Sequence, residues 1–107
     1  MPTVAASGSQ TATISTKHSL YSSTTPAVFT FMVDTGDMVM GDVVVLSIDQ
    51  AYTSGGSRKQ TYLITYAHAQ SDPGKVSVPI VSPYSIEFFL QQTAGTGRAF
   101  PWVIVAI

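Results

Sequence analysis

Apolar residues recur at every second position along nearly the whole chain, and this spacing constrains the fold more than any other feature. In AVFTFMVD (27–34) it sets Phe29, Phe31 and Val33 on one face. In DVVVLSID (42–49) it sets Val44, Leu46 and Ile48 against Val43, Val45, Ser47 and Asp49. KQTYLITYAH (59–68) alternates Tyr62, Ile64, Tyr66 and His68 with Thr61, Leu63, Thr65 and Ala67. KVSVPIV (75–81) offers Val76, Val78 and Ile80 against Ser77 and Pro79, and YSIEFFLQQ (84–92) offers Ile86, Phe88 and Leu90 against Glu87 and Gln91. The β-branched QTATIST (10–16) opens this series and FPWVIVAI (100–107) closes it. No stretch sustains a 3.6-residue period; TGDMVMGD (35–42) offers a single helical turn at most.

Turn chemistry separates the runs. SGGSR (54–58) reads as a hairpin loop, because glycine reaches positive φ at little cost. SDPGK (71–75) places Pro before Gly, as in the middle of a type II turn, and VSPY (81–84) is a further break. Proline cannot donate to a ladder, so the strand holding Pro79 is expected at an edge or bulged, and Pro101 is expected at the start of the last strand. The expectation is an all-β fold: one antiparallel β-sandwich or small β-barrel domain, jelly-roll-like or Ig-like, of seven to eight strands. Inward aromatic, Val and Ile faces would fill the layer between the sheets. The domain is expected to span 11–107, after a flexible arm of small and polar residues at 1–10.

A length of 107 residues suits one domain with a real core. Cysteine is absent, which excludes thiol catalysis, thiolate metal sites and disulfides. Charged residues make up only 10% and the net charge is −1, so the basic stripe of a nucleic-acid binder is missing. The N-terminus lacks the basic start and apolar run of a signal peptide, and WVIVAI is too short to span a bilayer. No nucleic-acid or membrane partner is expected. A neutral surface rich in Ser, Thr and Gln resists aggregation poorly by charge alone, which suggests that a partner covers much of it.

The residues that carry chemistry in other proteins are sparse. TAGTGR (93–98) has the glycines of a phosphate loop, but no helix follows and no Lys-Ser/Thr closes the motif. A hairpin joining strands 84–92 and 100–107 is the better reading. Asp34, Asp37 and Asp42 lack the alternate spacing of a calcium loop and read as turn and capping residues, with Met38 and Met40 plugging the sandwich end. His68 shares a strand face with Tyr62, Ile64 and Tyr66 and reads as a partly buried structural residue. His18 sits in STKHSLYSST without the sharp turn that would make a Ser–His–Asp set credible. Glu87, the only glutamate, lies mid-strand on the solvent face and has no evident carboxylate partner for glycoside hydrolysis. Tyr21, Tyr52, Tyr62, Tyr66, Tyr84 and Trp102 allow an alternative, a sugar-stacking platform. No catalytic residue, metal site or cofactor is expected.

Three segments stand together: TATISTKHSL…TT (11–25), VDTGDMVMGDVVVL (33–46) and QQTAGTGRAFPW (91–102). As an ordered set they resemble small virion structural proteins of tailed bacteriophages, and the resemblance runs from Thr11 to the C-terminus. It implies a non-enzymatic capsid decoration or cement protein on the virion surface, bound to the major capsid protein and to copies of itself, with a trimer favoured. It implies that Gln92, Thr93, Gly95, Gly97, Arg98, Phe100 and Trp102 serve as hairpin and contact positions. A tail or neck component is the alternative within the same class. An arm of ten residues would reach only about 35 Å when extended.

Overall fold

A computed structural model describes residues 2–107 as nine strands in two antiparallel sheets. The strands are β1 (Thr3–Thr11), β2 (Lys17–Ser23), β3 (Ala27–Asp34), β4 (Val43–Gln50), β5 (Lys59–Ala67), β6 (Gly74–Val76), β7 (Ile80–Ser82), β8 (Ile86–Ala94) and β9 (Ala99–Ala106). The front sheet runs β1-β9-β3-β6, with β7 also paired to β3, and the back sheet runs β2-β8-β4-β5.

The pairing is nested. β4 pairs β5 across the SGGSR hairpin, β3 pairs β6 and β7, β2 pairs β8, and β1 pairs β9. One long antiparallel ribbon is thus rolled so that β3 meets β9 and β4 meets β8. This is the jelly-roll form of the β-sandwich, with β6 and β7 together filling one strand position. Among the described residues no helix is long and apolar enough to cross a membrane.

The inward parity of each strand supplies the core. β3 contributes Phe29, Phe31 and Val33; β9 contributes Phe100 and Ile104; β4 contributes Val44, Leu46 and Ile48; β8 contributes Ile86, Phe88 and Leu90. Phe88 sits among rings, edge-on to Phe31 at 5.5 Å and to Phe29 at 5.8 Å, and stacked on Tyr21 at 6.3 Å. Such pairs add about 0.5–1.5 kcal/mol each beyond area burial. Met38 closes one end of this core, while Met40 points into solvent.

Several expectations are corrected. The expected arm at 1–10 is β1 from Thr3 onward: its small residues lie flat along β9, and Gly8 leaves room for the Trp102 ring against it. Met1 lies outside the described residues. The QTATIST run is mostly a turn, and STKHSLYSST supplies the unforeseen strand β2. The 75–81 run is two short strands interrupted around Pro79, both on the β3 edge. At 76–78 its polarity is inverted, because Ser77 points inward and exchanges hydrogen bonds with the Phe31 backbone while Val76 and Val78 face out; Ile80 enters the core as expected. The 91–102 segment is no hairpin: β8 and β9 belong to different sheets, and residues 95–98 cross between them. Pro101 lies inside β9, one residue past the last β3 pair, Val33 with Trp102, so no β3 partner is lost there.

Candidate functional site

The crossing segment closes one end of the sandwich with a polar clamp. Alternation puts Asp42 on the inward parity of Val44, Leu46 and Ile48, and Asp42 is buried. Its Oδ2 accepts from Arg98 Nε at 2.8 Å and from the Val39 N–H at 3.0 Å, and its Oδ1 accepts from the Thr96 N–H at 3.2 Å. Burial pushes this carboxyl up. The hydrogen bonds from Val39, Arg98 and Thr96, with the Arg98 charge, outweigh burial and hold it below its ordinary value.

Gln92, fully buried, is fixed at both ends. Its Oε1 accepts from the Arg98 N–H at 3.0 Å, and its Nε2 donates to the carbonyls of Ala94 at 3.0 Å and Thr96 at 2.7 Å. Residues 12–15 join the same knot: Ala12 N–H donates to Arg98 O at 2.8 Å and Ser15 N–H to Gln92 O at 2.7 Å. A Cβ at Gly95, where φ is +91°, would run into Asp42, and one at Gly97 would run into the Ala12 carbonyl. The glycines are there because the backbones touch.

Gln92 and Phe100 are therefore corrected from contact positions to interior ones, each with no exposed surface. Thr93, Gly95 and Gly97 keep solvent exposure, and Arg98 and Trp102 are half-buried. His68 is also corrected: it follows β5 in left-handed backbone (φ 65°), exposed, with its Nδ1 accepting from the Gly41 N–H at 2.9 Å. His18 Nε2 accepts from the Thr13 N–H at 3.1 Å. Both imidazoles serve backbone turns. Asp34 Oδ1 accepts from Gly36 N–H at 2.8 Å, as a turn residue does. Among the described residues no group of three His, Cys, Asp or Glu side chains is placed to hold a metal ion. Tyr52 and Tyr84 are exposed, whereas Tyr21, Tyr62, Tyr66 and Trp102 pack against the core, so these aromatics form no common platform. Tyr84 instead borders an open cleft with Arg58, Ser54 and Pro26 at the opposite end from the clamp.

The two broad outer faces differ in chemistry. Across the front sheet the outward rows are Val4–Val105–Thr30 and Ser7–Val103–Met32–Val76, followed by Ser9–Pro101 with Asp34 at the corner. Ile107, Val28 and Val81 extend this face at its other end. Val4, Val76, Val78, Val81 and Ile107 are each more than half exposed. A shallow groove lies between Met32, Val76, Pro101 and Val103. The strands of this sheet hold only two charged residues, Asp34 and Lys75, and Lys75 reaches back over the Tyr66 ring at 4.8 Å.

The back sheet presents Lys17–Gln91–Val45–Thr65, Ser19–Phe89–Ser47–Leu63 and Ser22–Glu87–Asp49–Gln60. Its one outward ring, Phe89, lies under the Lys17 ammonium at 4.2 Å. Arg58 pairs with Glu87 at 2.8 Å, and Ser19 Oγ donates to the same carboxylate. An apolar front and an ordinary polar back make the front face the candidate site. In sequence its signal is the last strand, PWVIVA, which is apolar on both parities, as a strand covered on both sides reads. Comparison with known protein families, with curated proteins and with solved structures finds no match to this chain.

Proposed function

We propose that this protein is a structural component of a phage virion, of the capsid decoration or cement type, and that it works by contact rather than by chemistry. The observation that carries this reading is the front-sheet face, a contiguous apolar surface with Asp34 at its corner. A contiguous apolar patch of more than a few hundred Å² on a globular domain marks an interaction site. Four strands about 4.8 Å apart, over about seven residues of about 3.3 Å rise, make a face of that size class. The rim of Ser7, Ser9 and Asp34 around a Val and Met centre is the layout of a protein–protein interface.

The clamp supports the same reading from inside. It fixes the 95–98 crossing with buried hydrogen bonds, and a rigid slab loses little conformational freedom on docking. A capsid offers many identical sites, so a weak contact per subunit accumulates into firm attachment. The protein would act as a rigid clip that adds interface between neighbouring capsid subunits.

Sedimenting purified protein with capsids that lack it tests the proposal. Wild-type protein is expected in the pellet with the capsids, and a Val76→Lys, Val81→Lys double variant in the supernatant. Wild-type protein left wholly in the supernatant contradicts it.

A further inference from the structure

We infer that the occupant of the front-sheet face is a second copy of this chain, the two front sheets packed face to face about a two-fold axis. This rests on the proposal that the face is a contact surface, and it names the partner: the dimer is the unit that meets the capsid, through its remaining surfaces, so a variant that cannot pair loses the second capsid contact as well.

A two-fold contact sets one patch against itself, so any net charge on the patch opposes its own image. The front face comes nearest to this condition: Asp34 lines one corner of the groove beside Met32 and Val103, and Lys75 lines the same groove with the opposite charge. The back face also balances its charges, but a contact there would strip water from four charged side chains, Lys17, Arg58, Glu87 and Asp49. Two packed sheets interdigitate their side chains at about 10 Å separation. Outward β-branched side chains suit that packing, and the groove beside Met32 and Val103 receives a partner's side chain. The strand face alone covers roughly 440 Å², and the flanking loops of a slab measuring 42 × 29 × 19 Å must join it to approach the roughly 800 Å² per partner of a standard interface. The three-fold ring implied by the resemblance needs two different patches to meet at each contact. Among the described residues only one broad face is apolar.

The chain has no cysteine, so a single introduced thiol is a clean probe. Val103→Cys lies on the front face and Thr65→Cys on the back face. Treated with a short bis-maleimide, the Val103→Cys protein is expected to run as a covalent dimer on a denaturing gel, with nothing larger, while the Thr65→Cys protein stays monomeric. In sedimentation velocity, wild-type protein is expected as a dimer. Val81→Lys and, independently, Ile107→Lys are expected as monomers with unchanged circular dichroism. A wild-type monomer or trimer, or equal cross-linking of the two thiols, overturns the inference. Capsid sedimentation separates the two failures. If wild-type protein is monomeric and Val81→Lys still loses the capsid, the face is a contact surface for another protein and only the second copy is wrong. If wild-type protein is monomeric and wild type and Val81→Lys pellet equally, the contact-face reading itself fails.

Discussion

The clamp and the front-sheet face break the same rule in opposite directions. At the clamp a carboxylate and a glutamine are buried; on the front face valines and a methionine are exposed. The difference lies in what satisfies each. Asp42 accepts hydrogen bonds from Val39, Thr96 and Arg98, and Gln92 uses both its amide oxygen and its amide nitrogen, so that inversion is answered within the chain. Among the described residues nothing covers the exposed side chains of Val76, Val81 and Ile107. An inversion that is satisfied internally serves the fold, and one that is left open points outside the molecule.

The comparison breaks most easily at Asp42. Asp42→Ala leaves Arg98 and two backbone N–H groups without their acceptor, and is expected to lower unfolding stability by about 3 kcal/mol in urea denaturation. A loss below about 1 kcal/mol would mean that the clamp is decorative. The next effect is its pH dependence. Because the native state holds this carboxyl below its ordinary value of 3.8, its contribution is complete above the ordinary carboxylate range. It is lost as pH falls through the lower native value. The stability gap between wild type and Asp42→Asn should therefore be flat near neutrality and shrink below about pH 4. A gap that widens in acid would reverse the assigned shift. The smallest effect is expected at the partly exposed pair of equal length, Arg58–Glu87. Glu87→Gln should change stability by less than about 1 kcal/mol, since solvent screens such a pair. An effect equal to that of Asp42→Ala would remove burial as the distinction between the two ion pairs.

Much of this was legible in the chain, and the failures have physical causes. Period-two alternation gave β3, β4, β5, β8 and β9 and the inward set centred on Phe88, because burial on one face fixes parity. The same parity marks Asp42 with Val44, Gln92 with Leu90 and Arg98 with Phe100. Asp42 was read by type, as a turn residue, when its position already placed it inward; its partner Arg98 lies 56 residues away, and only the roll of the sheets joins them. β1 was missed because Ser7, Gly8 and Ser9 carry no apolar signal; their register comes from β9. The hairpin reading of 91–102 failed because a glycine loop is equally suited to turning back within a sheet and to crossing between two. The charge asymmetry of the two outer faces appears only once register sets residues from distant strands side by side.

Methionine oxidation reads the central claim directly, because Met32 lies in the front-face row with Val103 while Met40 is exposed beside the clamp. Dilute peroxide is applied to isolated, dilute protein and to the same protein bound in its assembly, and sulfoxide is quantified at each site. The prediction is that assembly slows oxidation of Met32 several-fold and leaves Met40 unchanged. Equal rates at Met32 in both states, or protection of Met40 alone, would contradict a contact surface on the front sheet.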